Sequence, residues 1–123
     1  MSYCLSLQVV MDIHAGFPDG GELLKPNELQ GALTRPTQEV FGLVPYPSAT
    51  EKAAVLLHGV ACAHSFLDAN KRTAWLCCTT YLDLNGIQLG YIPPDEVTEF
   101  VVSVVQSEVS HTEIVDWLLD RQV

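Results

Sequence analysis

His64-Ser65-Phe66-Leu67-Asp68-Ala69-Asn70-Lys71-Arg72-Thr73-Ala74 lies mid-chain between two apolar segments that both read as helices. The stretch gathers an imidazole, a carboxylate, a carboxamide, an ammonium and a guanidinium around one phenyl ring. A turn that only reversed the chain would not need that chemistry. Asn70 is predicted to open a helix whose first backbone N–H groups have no partner inside it. Such an end is an anion site. Lys71 and Arg72 fall in the same first turn, where the helix dipole disfavours positive charge. Cations set against the dipole make sense where something strongly negative binds.

Both flanks carry helix signals. Ser48-Ala49-Thr50-Glu51 has the form of a capping box, and the helix it opens is predicted to run to about Ala63 with Ala54, Leu57, Val60 and Ala61 buried. After the loop, a helix is predicted from Asn70 to Asn85, with Gly86 in the left-handed position that ends it. Its apolar face reads as Leu76, Cys77, Thr80, Tyr81 and Leu84. Farther out, Pro93-Pro94-Asp95-Glu96 begins a helix with acids in its first turn, as the dipole favours. Ser110-His111-Thr112-Glu113 is a second capping box, before Ile114, Val115, Trp117, Leu118 and Leu119.

Towards the N-terminus, Leu5 to Ala15 fits a mostly buried helix, ended by the turn Gly16-Phe17-Pro18-Asp19-Gly20-Gly21. Pro26 suits a first helical position, and that short helix closes at Pro36. From Thr37 to Pro47 the chain is β-prone and broken by Gly and Pro. It is predicted to be an extended flap built on Val40, Phe41, Leu43 and Val44. No repeat or domain boundary interrupts the 123 residues. The expectation is all-α: one domain, 1–123, a compact bundle of about six helices with a short extended flap.

Composition narrows the partners. Fifteen acids stand against six Lys and Arg, a net charge of −9. Such a chain is not expected to bind nucleic acid directly or to sit on an anionic membrane. No apolar run approaches the roughly 20 residues of a membrane span. Hydrophobic residues reach 48%, rich for this size, so a partner is expected to cover part of the apolar surface. Cys4, Cys62, Cys77 and Cys78 show no C-x-x-C spacing and read as free, buried thiols of a reducing compartment. With no basic leader at the N-terminus, a cytoplasmic protein is expected.

The central stretch resembles the Fic/Doc superfamily loop, His-x-Phe-x-(Asp/Glu)-(Gly/Ala)-Asn-(Gly/Lys)-Arg. Asp68-Ala69-Asn70-Lys71-Arg72-Thr73-Ala74 is similar to the Doc branch, and Trp75 stands where the Fic branch has a second arginine. The resemblance implies a toxin of a toxin–antitoxin pair that phosphorylates a protein hydroxyl with Mg-ATP. The implied target is a threonine of translation elongation factor Tu, so that translation stops. ATP would lie reversed relative to the Fic branch, with its γ-phosphate at the acceptor. Ser/Thr-x-x-x-Glu-(Gly/Asn), the built-in inhibitory helix of many Fic proteins, is absent from this sequence. A separate Phd-like antitoxin is therefore the expected inhibitor, laying an amphipathic segment into an apolar groove.

Each residue of the loop carries more than one reading. His64 either caps its helix or, titrating near neutrality, takes the proton of an attacking hydroxyl, the role the resemblance implies. Asp68 is either a helix cap or a Mg²⁺ ligand, and the resemblance favours the metal. Asn70 caps its own helix or holds the loop. Together with Ala69, Lys71 and Arg72 it would border the phosphates. Arg72 either pairs with a surface acid or neutralises a transferring phosphoryl group. Phe66 reads as the anchor of the loop. Lys71 separates the enzyme readings, because the Fic branch has Gly there and transfers AMP. The alternatives are AMP transfer and a catalytically silent binding module. His14, His58 and His111 show no metal-ligand spacing.

Overall fold

The structure is a computed structural model that describes residues 4–123. Six α-helices follow one another, α1 Leu7–Ala15, α2 Pro26–Thr34, α3 Ala49–Ala63, α4 Asn70–Leu84, α5 Pro94–Val105 and α6 His111–Asp120, with a 3₁₀ turn at Arg35–Thr37. The described residues contain isolated β-bridges but no sheet, and the all-α expectation holds.

Local signals set most of the boundaries. Ser48 and Ser110 both form complete capping boxes, each hydroxyl accepting from the N3 backbone while the N3 glutamate accepts from the cap. Pro26 stands at the start of α2, and Gly86, with φ of 75°, turns the chain after α4. Ser6 caps α1 through its hydroxyl, so that helix begins at Leu7 rather than Leu5.

α3 is the central element. Ala53, Ala54, Leu56, Leu57, Val60 and Ala61 are all buried, and its packing against α4 is the most extensive in the molecule. Here the predicted face of α4 is right at Cys77 and Tyr81 and wrong at its leucines. Thr73, Ala74, Cys77, Cys78 and Leu82 are buried, whereas Leu76 and Leu84 are 39% and 70% exposed. Small side chains let two helix backbones approach closely, so the alanine-rich side of α3 selects the small side of α4 over its leucines. α5 and α6 close the far side through Trp117, which stacks on Phe100 at 3.7 Å and meets Trp75 edge-on at 6.0 Å.

The four cysteines are free. Cys77 and Cys78 are buried as expected, while Cys4 and Cys62 are only partly so. Burial pushes the thiols of Cys4 and Cys77 up to about 12, and Cys78 higher still, so none is a ready thiolate.

The 37–47 segment is not an extended strand. Val40 and Leu43 exchange both backbone hydrogen bonds at 2.9 Å, with Phe41 and Gly42 between them at φ of 52° and 77°. Two consecutive positive φ values make this the tight two-residue turn of a hairpin. The turn points Phe41 outward, fully exposed, while Leu43 is 72% and Val44 43% exposed.

Candidate active site

The 64–70 loop joins α3 to α4 and is held by a segment far away in sequence. The Ser65 carbonyl accepts from the backbone N–H groups of Leu24 and Lys25, at 2.7 and 2.9 Å. Leu67 N–H donates to the Glu22 carbonyl and Asp68 N–H to the Gly20 carbonyl, at 3.0 and 2.9 Å. Residues 20–25 thus run beside the loop like a short paired strand, with Leu23 and Phe66 bridged.

Two side chains complete the frame. Asn70 accepts from the Phe66 N–H and donates to the Phe66 carbonyl, both at 3.0 Å, closing the loop on itself. Its role is to hold the loop rather than cap the helix. Phe66 is buried at 2% exposure and stacks on His14, centroids 3.7 Å apart and planes 12° from parallel. It is the anchor the sequence suggested.

His14 shows no ligand spacing in the sequence, and the structure gives it a place in the frame of the loop. Its Nε2 lies 3.1 Å from both the Gly20 and the Asp68 carbonyl oxygens. Carbonyl oxygens only accept, so this nitrogen carries the hydrogen and shares it between the turn and the loop. The ring is 4% exposed, set between α1, the 17–20 turn and Phe66. A Cβ added at Gly20 would stand 2.5 Å from that nitrogen. Gly20→Ala is therefore expected to push His14 off the loop, costing roughly 1–3 kcal/mol as overpacked cores do. A lowered Tm together with reduced activity checks this; an unchanged Tm would show that the ring has room to give.

On this frame the polar groups are displayed outward. His64 ends α3 in the left-handed region, φ 47° and ψ 45°, with its side chain exposed. Ala69 precedes α4, also left-handed at φ 64°, and no side chain caps the helix. The first N–H groups of α4 are thus left for a guest, as an anion site requires. Asp68 is exposed. One of its oxygens accepts the Ala69 N–H at 2.7 Å, and it does not cap the helix. Lys71 is exposed and forms no ion pair among the described residues.

Arg72 has a partner already. Its Nη2 donates to Asp19 Oδ2 at 2.8 Å, and its guanidinium carbon lies 4.8 Å from the centre of the Phe17 ring. The hydrogen bond holds the Asp19 carboxyl below, and the Arg72 guanidinium above, its ordinary range. Both side chains are about half exposed, so the pair adds little stability. Its effect is to orient the fork beside the loop. Because His14 grips Gly20, the turn that presents Phe17 and Asp19 is tied to the same frame.

Beside Lys71 and Arg72 opens an apolar groove of about 430 Å³ between α4 and α5, walled by Phe17, Trp75, Leu76, Val97 and Val101. The structure brings the loop residues His64, Phe66, Asp68, Ala69, Asn70, Lys71 and Arg72 together at the start of α4. The flap residues Val40, Phe41, Leu43 and Val44 are not joined to it. Among the described residues no hydrogen bond or ion pair links the 39–46 segment to the loop.

A model of the Fic/DOC family matches residues 4–82. Toxin Doc of Mycolicibacterium smegmatis is 44% identical over 72 residues, which make up 57% of this chain and 55% of that protein. The chain thus spans about half the length of that relative. The family match covers α1 to α3 and α4 up to Leu82, the elements that build and hold the loop, and the chain belongs to the Fic/DOC family, carrying the loop of its Doc branch.

Proposed function

We propose that this chain is the toxin of a toxin–antitoxin pair and transfers the γ-phosphoryl group of ATP to a protein hydroxyl. The observation that carries the reading is the uncapped start of α4, with Lys71 and Arg72 in its first turn and His64 exposed across the loop. Family membership supports a transferase acting on proteins, and the Doc relative supports the toxin role.

Residue roles follow from the chemistry of each group. His64 accepts the proton of the attacking hydroxyl. Backbone N–H groups of Asn70, Lys71 and Arg72 hold phosphate oxygens, and Ala69, with only a methyl group, leaves room for them. Arg72 exchanges its contact with Asp19 for the developing charge on the transferred group, and Lys71 adds a point charge at the inner phosphates.

The residues present fit a magnesium ion that arrives with the nucleotide. Asp68 offers one carboxylate oxygen with no partner among the described residues. No described group of three or more His, Cys, Asp or Glu side chains is placed to hold a metal alone. Mg²⁺ is commonly bound by one or two carboxylates with phosphates and water completing its shell. Bound Mg-ATP would supply the phosphoryl group and neutralise its charge.

The target read from the resemblance is a threonine of elongation factor Tu. Its approach would lie along the flap, whose turn exposes Val40, Phe41, Leu43 and Val44 to an extended segment. Proline at Phe41 is a poor probe, because φ of 52° there is closed to proline and the turn itself would break. Val44→Pro is the cleaner variant. It is expected to abolish modification while nucleotide binding and Tm stay at parental values; retained modification would remove the flap from the mechanism. A Phd-like antitoxin would place its amphipathic segment in the apolar groove beside Lys71 and Arg72.

ATP labelled at either the α- or the γ-phosphate, incubated with the protein, Mg²⁺ and elongation factor Tu, tests the reaction. Label transferred from γ alone is expected. Transfer from α would mean AMP transfer and would overturn the argument from Lys71.

A further inference from the structure

A second polar cleft lies away from the loop, centred on Arg35. The three arginines of the chain are Arg35, Arg72 and Arg121. Arg72 is paired with Asp19, while Arg121 binds Glu96 and lies over Trp117. Lys52 donates to the carbonyls of Tyr46 and Pro47. Arg35 is the arginine whose side chain has no ion pair or hydrogen bond among the described residues, although the chain carries fifteen acids.

Arg35 is exposed at the junction of α2, α3, the flap base and α6. Arg35 follows α2, and one guanidinium nitrogen would lie only 3.3 Å from a Cβ added at Gly59, so it rests where α3 has no side chain. Three adjoining hollows share Arg35 as a wall. One of about 800 Å³ reaches Val44 and Glu39 at the base of the flap, and one of about 150 Å³ holds Tyr46, His58 and His111. The third, about 370 Å³, runs past His58 and Gly59 to Cys62 and Ala63, next to His64. Glu28 and Glu39 line the outer hollows, yet neither pairs with Arg35. An unpaired guanidinium with two imidazoles and a phenol is anion-reading chemistry, placed between flap and catalytic loop in a chain of net charge −9.

We propose that Arg35 is a specificity residue that binds a carboxylate of the protein substrate, so that the preferred acceptor hydroxyl lies near an acidic residue. The inference rests on the transferase reading above. Gly59 lies five positions before His64, the left-handed residue that follows α3, so the two are separated around the helix axis, by about 140°, as well as along it. An extended peptide covers about 3.3 Å per residue, so an acid within four residues of the hydroxyl is the range to search.

The test uses the whole protein and threonine-centred peptides in which a single Glu, or Gln as control, is moved from four residues before the hydroxyl to four after it. Binding is read by fluorescence polarisation and modification by γ-label transfer. For the parent, Glu at a preferred position is expected to bind about tenfold tighter than Gln at the same position. Arg35→Gln is expected to erase that difference while nucleotide binding, Tm and affinity for the Gln peptide stay unchanged. Arg35→Lys should recover only part of it, because the charge remains but the fork is lost. Equal binding of Glu and Gln peptides by the parent would overturn the proposal. So would an Arg35→Gln variant that weakens both equally, since Arg35 would then only shape the cleft. Competition by inorganic phosphate or an oligonucleotide, with no preference for Glu, would also overturn it. An Arg35-dependent preference for Glu without label transfer to any peptide would count against the transferase reading and leave the cleft's recognition of carboxylate standing.

Discussion

His64→Ala is expected to lower transfer by about 10²–10⁴-fold, the range lost when a positioned general base is removed, with nucleotide binding intact. Little of the fold should respond, because the imidazole is exposed and has no hydrogen bond among the described residues. The backbone is the one structural demand at this position. At φ of 47° it lies in the left-handed region, where His and Asn are over-represented among non-glycine residues. His64→Asn is therefore the better-matched control, keeping that preference while removing the base. Both variants should lose activity, and the asparagine variant should melt within a degree or two of the parent. When the protein is expressed without an antitoxin, growth arrest should disappear with the imidazole. Arrest as strong as the parent's would mean that toxicity is not catalysis by this loop, and the silent binding-module reading would return.

Phe66→Ala is expected to cost about 3–5 kcal/mol, the usual loss for truncating a buried phenyl ring. Against the roughly 5–15 kcal/mol that separates folded from unfolded chains, that is a large share. The side chain is 2% exposed and stacked on His14, so its removal opens a cavity on the face that holds the loop. Activity should fall further than the folded fraction alone explains, because His14 then loses the ring that aligns its hydrogen on the Asp68 carbonyl. Chemical denaturation, with activity measured well below the transition, separates the two effects. Activity per folded molecule equal to the parent's would show that the anchor stabilises the protein without positioning the site.

What was legible in the sequence were the features whose causes lie within a few residues of each other. Two capping boxes, Pro26 and Gly86 mark helix ends because a cap is satisfied by a neighbour three or four positions away. The identity of the loop was legible for the same reason, since His64, Phe66, Asp68, Asn70 and Arg72 are consecutive enough to be read as one pattern. Even the choice left open at Asn70, cap or loop tie, was between two local hydrogen bonds, and the structure shows the tie to Phe66.

Tertiary structure decided everything that depends on what a residue meets. The apolar positions of α4 are spread widely enough to offer several faces, and only packing against the alanines of α3 selects the one with Thr73, Ala74 and Cys77. His14 lies 54 positions from Asp68, and no spacing rule connects them. The pairing of residues 20–25 with the loop is likewise backbone to backbone and almost independent of side-chain identity. The cleft at Arg35 needs α2, α3, the flap base and α6 to meet before it exists. Local hydrogen bonds and turn chemistry are written in neighbouring residues. Close approach between distant backbones is set by which surfaces bury the most apolar area without leaving polar groups unpaired, and that sum is made only when the whole chain folds.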